Sequence, residues 1–233
     1  MRLTTIGFDA DDTLWQNEQF YRMTEQRFAA LLAGHADPEN LSARLLEAEK
    51  RNLKLYGFGI KGFILSMIET ALEVTEGRVP AKTIADIMEA GREMLVHPIE
   101  TLPHVSDTLE RLATDYRLVL ITKGDLFDQE RKLAQSGLGD HFDGVEIVSD
   151  KNPETYRAIF ARHGDGPERA MMVGNSLKSD VLPALDAGSW GVFVPHELTW
   201  AVEHAERPGG AARFHEIGHL GHLPPLVERI ARD

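Results

Sequence analysis

Cysteine is absent from this 233-residue chain. That excludes a disulfide scaffold and thiolate metal ligands, and fits a reducing compartment. Basic residues are in deficit: 25 Lys and Arg stand against 37 Asp and Glu, a net charge of -12. Such a surface argues against duplex nucleic acid or an anionic membrane as partner. No apolar run approaches the length of a membrane span, and the first strand signal begins almost at the N-terminus, leaving no room for a signal peptide. The expectation is therefore a cytoplasmic protein. Internal repeats and low-complexity segments are also lacking. What remains is ordinary globular composition, 42% hydrophobic and 27% charged, in a length that suits one large domain or a core with a smaller companion.

The chain is organised around Ile6-Gly7-Phe8-Asp9-Ala10-Asp11-Asp12-Thr13. A short apolar run, suited to a buried strand, ends in three acidic residues and a threonine. The carboxyl edge of a parallel sheet is where such folds carry their chemistry. Three carboxylates within four residues repel one another unless a cation lies among them, and hard oxygen donors without Cys or clustered His favour magnesium over zinc. In extended backbone Asp9 and Asp11 point the same way, so one carboxylate can attack while the other handles a proton. Read alone, the same run is equally a solvated turn.

From residue 16 to 97 the periodicity is helical. Ile60, Phe63, Ile64, Met67, Ile68, Ala71 and Leu72 form one apolar stripe; Ile84, Ile87, Met88, Gly91 and Leu95 form another, and Phe20, Met23, Phe28, Leu31 and Leu32 a third. Breaks near Gly34–Pro38, Tyr56–Gly59 and Gly77–Pro80 divide the region into about four helices. Beyond His97-Pro98, apolar strands alternate with helices: Arg117–Ile121, Val145–Val148, Ala170–Val173, Gly191–Val194 and a short segment near Phe214–Ile217. The helix after the second strand is expected to turn Arg131 and Lys132 outward. Alternation of this kind predicts an α/β fold, a Rossmann-like parallel sheet core covered by helices on both faces. The predicted organisation is a catalytic core of residues 1–15 and 98–233, interrupted by an all-helical domain of residues 16–97.

Three more signals follow strands. Thr122-Lys123-Gly124 resembles a phosphate cradle of hydroxyl and amides, or else simple helix capping. Lys151 precedes a proline that starts a helix; beside an acidic metal site a lysine can neutralise nucleophile and phosphate together, and elsewhere it is a solvated surface residue. Asn175 and Asp180 supply oxygen donors at a strand end and the first turns of its helix, which suits magnesium shared with Asp9, or a Ser176 N-cap with polar neighbours. The histidines after residue 195, including His215, His219 and His222, are irregularly spaced and read as solvated or core residues.

This order of motifs resembles the haloacid dehalogenase superfamily over most of the chain. Asp9-Ala10-Asp11-Asp12-Thr13 is similar to its first motif, Thr122 to its second, Lys151 to its third, and Gly174-Asn175 with Asp180 to its fourth; the helical insert resembles the family's cap. The resemblance implies a magnesium-dependent phosphatase acting on a small phosphorylated metabolite. Asp9 would attack phosphorus to form an aspartyl-phosphate. Asp11 would protonate the leaving alcohol and then take a proton from water. Mg2+ would be held by Asp9, the Asp11 carbonyl, Asn175 and Asp180. Thr122, Lys123 and Lys151 would bind the phosphate. Asp12 would serve local structure and Thr13 would close the turn. One departure stands out: the family usually carries Asp where this chain has Asn175, which predicts weaker metal affinity. Asp11 disfavours carbon–halogen cleavage. A phosphomutase on the same core is the alternative, and a non-catalytic phospho-ligand-binding protein a third reading. Sugar phosphates, nucleoside monophosphates and phosphoglycolate-like acids all remain open as substrates, oligomeric state is open, and Tyr56, Phe58, Trp15 and Lys123 are candidates for lining the cleft. Closure of the cap to exclude water is expected from the two-domain layout.

Overall fold

The computed structural model describes residues 2–232. Among these, β1 (Thr5–Phe8), β2 (Arg117–Lys123), β3 (Gly144–Val148), β4 (Ala170–Gly174), β5 (Trp190–Phe193) and β6 (Phe214–Glu216) form one sheet in the order β3-β2-β1-β4-β5-β6. Every neighbouring pair is parallel. Parallel strands need cover on both faces, and residue alternation divides the sheet accordingly. Ile6, Phe8, Leu118, Leu120, Met171 and Val173 enter one core with α5 (Val105–Ala113) and α9 (Leu223–Ile230). Val119, Ile121 and Met172 enter the opposite core with Tyr156, Ile159 and Phe160 of α7 (Pro153–His163). The strand order reverses between β1 and β4, which register as Phe8 against Val173. A reversal of this kind opens a crevice at the carboxyl edge.

Cα packing divides the chain into two compact units, one of residues 2–18, 99–123 and 129–232, the other of residues 19–98 and 124–128. The second unit is built on α1 (Glu18–Leu31), α2 (Pro38–Tyr56), α3 (Ile60–Val74) and α4 (Ala81–Val96). α2 starts where Asp37 accepts from the Asn40 amide and Pro38 takes the first helical position. Its own core holds Phe28, Leu32, Leu41, Leu45, Ile60, Phe63, Ile64, Met67 and Ile87. The apolar stripes are narrower than the sequence suggests. Met23 is 62% exposed, and Leu72 and Met88 lie outside as well. In α4 the buried face is Ile87, Ala90, Gly91 and Met94, and Met88 stands about 100° around the helix from Ile87.

Three further expectations need correction. β2 runs two residues past Ile121, so Thr122 and Lys123 pair within the sheet against Ile147 and Val148. The helix expected from Ser176 opens as a π-helical turn, Leu177–Val181, before α8 (Leu182–Asp186). Trp15 lines no cleft; it is fully buried in the first core. No helix among the described residues is long and apolar enough to cross a membrane.

Candidate active site

Asp9 follows β1, and its amide donates to the Val173 carbonyl at 2.9 Å, tying it to the end of β4. The turn beyond closes on Ala10, whose carbonyl accepts from the Leu14 amide at 2.8 Å. Asp12 sits at φ 59°, a conformation Asp tolerates better than most residues. Its carboxylate accepts from the amides of Asn17 and Glu18 at 2.9 and 3.0 Å, satisfying free donors where α1 begins. The tight turn thus leaves Asp9, Asp11 and Thr13 to point elsewhere.

Asp9 is buried between a cation and a hydroxyl. Oδ1 accepts from the Lys151 ammonium at 2.5 Å, and Oδ2 from the Thr13 hydroxyl at 3.1 Å. Burial and the nearby Asp180 push its carboxyl up to about 7, against the opposing pull of Lys151. Lys151 also donates to Asp180 Oδ1 at 2.7 Å. Burial works against its charge, but Asp180 and Asp9 outweigh that and keep the ammonium protonated. Asp180 Oδ2 accepts from the Ser176 amide at 2.9 Å. One Asp180 oxygen therefore fixes Lys151 and the other braces the β4 loop. The loop needs Gly174: a Cβ there would stand 2.2 Å from Asp180 Oδ2.

Asn175 brings its side-chain amide to the same point. One of its two heteroatoms lies 3.1 Å from Asp9 Oδ2, 3.2 Å from the Asp11 carbonyl oxygen and 3.2 Å from Thr13 Oγ1. Turned with nitrogen inward, the amide donates to these oxygens. Turned with oxygen inward, it joins a convergence of hard oxygen donors that a small divalent cation satisfies. Among the described residues no three His, Cys, Asp or Glu side chains form a metal cluster. The donor set that fits magnesium here consists instead of one carboxylate, one backbone carbonyl and one amide.

Asp11 lies beside this group with its carboxylate gripped from behind. Oδ1 accepts from Trp15 Nε1 at 2.8 Å and Lys132 Nζ at 3.0 Å, and Oδ2 accepts from Gln129 Nε2 at 2.8 Å. Burial would raise this carboxyl, but the Lys132 ammonium and the three hydrogen bonds hold it below its ordinary value. Lys132 and Gln129 come from α6 (Leu126–Ser136) and are buried. This reverses the outward orientation expected for Lys132. No signal short of the fold marks either residue, since a Lys and a Gln inside a polar helix read as solvent-facing.

Of the remaining candidates, Thr122 is buried at the end of β2 with its hydroxyl 3.3 Å from the Lys123 carbonyl. Lys123 turns to Glu203 Oε1 at 2.9 Å and Ser179 Oγ at 2.7 Å. Glu203 in turn accepts from Ser176 Oγ at 2.6 Å and from the Ser179 hydroxyl. Burial opposes its charge, yet Lys123 and the two serines bring its carboxyl down to about 2. Lys123 thus anchors the loop from which Glu203 descends, a role the sequence reading missed. Tyr56, also a cleft candidate, is half exposed in the helical unit.

A family model described as haloacid dehalogenase-like hydrolase matches residues 3–188. A crystal structure of a haloacid dehalogenase-like family hydrolase from Xanthomonas campestris is 44% identical, with a TM-score of 0.87 over 99% of this chain and 92% of that one. Two relatives bear the name glyceraldehyde 3-phosphate phosphatase. The one from Methanothermobacter thermautotrophicus is 28% identical over 89% of this chain and 92% of its own length. The one from Pyrococcus furiosus is 26% identical over 80% and 78%. With a model matched over most of its length and a close structural likeness at 44% identity, the chain belongs to the haloacid dehalogenase-like hydrolase family.

Proposed function

We propose that this hydrolase is a magnesium-dependent phosphatase that cleaves a small phosphorylated metabolite through an aspartyl-phosphate on Asp9, with residues 16–97 serving as its cap domain. The observation that carries the reading is the pairing of two carboxylates two residues apart in opposite surroundings. Asp9 is buried against Lys151 and Thr13, whereas Asp11 is held by donors and keeps a partly exposed side chain, 24% accessible. The first is fixed beside the cation suited to hold phosphate, and the second keeps access to exchange a proton with a leaving group.

In the first half-reaction an Asp9 carboxylate oxygen attacks phosphorus, the phosphorus–oxygen bond to the alcohol breaks, and Asp11 gives the departing oxygen its proton. In the second, water attacks the same phosphorus, Asp11 takes the water's proton, and the bond to Asp9 breaks to release inorganic phosphate. Asp11 is ionised at neutral pH in the free protein, the form the second half needs. For the first half Asp11 takes up a proton from solvent as substrate binds, a form that the negative charge of the phosphate beside it favours. Lys151 and the Thr122 hydroxyl are suited to the non-bridging oxygens, holding phosphorus in line with Asp9. Magnesium would be held by Asp9, the Asp11 carbonyl and Asn175, and when bound it offsets the repulsion between carboxylate and phosphate. The two relatives named glyceraldehyde 3-phosphate phosphatase support a three-carbon phosphate ester as the first natural substrate to try.

The test is hydrolysis of an aryl phosphate and of glyceraldehyde 3-phosphate, with magnesium and with chelator, for wild type and Asp9→Asn. The expected result is metal-dependent turnover that the substitution reduces by at least about a thousandfold, the scale of a lost nucleophile. A folded wild type that turns over neither ester in magnesium, or an Asp9→Asn protein as active as wild type, overturns the reading.

A further inference from the structure

The grip on Asp11 uses more of the molecule than a lone surface carboxylate requires. An ionised carboxylate offers about four lone-pair positions, two on each oxygen. Trp15 Nε1 and Lys132 Nζ occupy both positions on Oδ1, and Gln129 Nε2 occupies one on Oδ2. Among the described residues no further donor meets Oδ2, which leaves one position there. Lys132 is itself fixed by a second bond to Asn17 Oδ1 at 2.8 Å, and Gln129 by a second bond to the Lys123 carbonyl at 3.1 Å. Both side chains are about 95% buried. Burying an ammonium is unfavourable until its partners offset the lost hydration, so a lysine here does more than fill space. Lys132 and Gln129 stand three residues apart on α6, hence on one face of the helix, and together they address both oxygens of the same carboxylate.

We infer that Lys132 and Gln129 are positioning residues that hold the Asp11 carboxylate in one plane, leaving a single lone pair of Oδ2 as the position that exchanges a proton with the leaving group. The inference rests on the phosphatase reading above and deepens it. Neither residue touches the phosphate; each acts through Asp11. Misaim of that one lone pair matters when the leaving oxygen needs a proton and matters little when it does not. An alkyl alkoxide is a poor leaving group and depends on general-acid help worth roughly 10²–10⁴. A p-nitrophenolate departs with its charge stabilised by the ring and depends on it weakly. The signature of a positioning role is therefore a loss that grows with leaving-group basicity, read in kcat/KM, which covers steps only as far as the phosphorylated Asp9.

The experiment compares kcat/KM for p-nitrophenyl phosphate and for glycerol 3-phosphate in wild type, Lys132→Met, Lys132→Arg, Gln129→Leu and Asp11→Asn, each checked for a native circular dichroism spectrum. Expected is a loss of roughly 30-fold or more on the alkyl ester and under about threefold on the aryl ester for Lys132→Met. Gln129→Leu should give a smaller loss of the same sense, and Lys132→Arg partial recovery on the alkyl ester alone. Equal losses on both esters, or no loss on either, overturn the inference. Should Lys132→Met fail to fold, Gln129→Leu decides by the same criterion. Asp11→Asn separates the two levels of the argument. If it discriminates between the esters while the Lys132 and Gln129 variants do not, the positioning role fails and the acid role of Asp11 stands. If Asp11→Asn itself does not discriminate, the acid assignment falls, and this inference with it.

Discussion

Asn175 is the residue at which this chain departs from the pattern it resembles. Its amide meets Asp9 Oδ2, the Asp11 carbonyl and Thr13 within 3.2 Å, so it stands where a carboxylate would add a second formal charge to the proposed magnesium site. A neutral oxygen ligates a hard cation more weakly than a charged one. Asn175→Asp should lower the magnesium concentration for half-maximal activity by about three- to tenfold. The same substitution should steepen the rise of melting temperature with added magnesium, since a ligand that binds only the folded protein stabilises it by mass action. An unchanged metal requirement together with an unchanged thermal response would mean that Asn175 is no ligand. The positions of Asp9, Asp11, Lys151, Asn175 and Asp180 were legible in the sequence because each lies just beyond an apolar strand run or a few residues into the next helix. Lys132 and Gln129 were not. They reach Asp11 across 121 and 118 residues of chain from a polar helix whose inward face no apolar stripe marks.

At the scale of elements, the loop between β5 and β6 does something its composition does not announce. A 3-10 turn, Ala201–Glu203, lowers Glu203 onto Ser179 of the π-helical turn, onto Ser176 that caps it and onto Lys123 at the end of β2. One carboxylate therefore clasps the ends of two strands that carry candidate site residues. Its folded value of about 2 lies below its ordinary 4.5. A depressed carboxyl contributes stability that is present above about pH 4.5 and is lost as pH falls towards about 2. Glu203→Gln should therefore lower stability at pH 7 by about 1–3 kcal/mol, allowing for the hydrogen bonds the amide retains. The gap to wild type should shrink on acidification through that window, as urea melts at pH 7, 4 and 3 would reveal. A gap independent of pH would mean that Glu203 acts by shape alone. Strand positions were readable here because apolar runs covered on both faces leave few alternatives. The π-helical turn was not readable, since its extra residue per turn changes no residue type.

Among the described residues, the hydrophobic centre among α1 to α4 shares no residue with the centres that cover the parallel sheet. The change from strand-and-helix alternation to unbroken helical periodicity was visible from residue 16 to 97. The strand order β3-β2-β1-β4-β5-β6 was not, because apolar runs announce burial without naming neighbours. Segment 124–128 packs with the helical unit although it directly follows β2, a fact of tertiary packing that no local pattern encodes. Separate centres make a statement about cooperativity that experiment can decide. Leu45 is fully buried in the helical centre and Leu109 in the sheet centre. Truncation of either to Ala removes about 2–5 kcal/mol of local packing. If each centre holds a cooperative unit, Leu45→Ala should accelerate native-state amide exchange in α2 and α3 while β1, β2 and β4 keep their protection. Leu109→Ala should do the reverse. Equal acceleration of both sets by either substitution would show that the chain opens as one body, and that the two centres are divided in space without being divided in free energy.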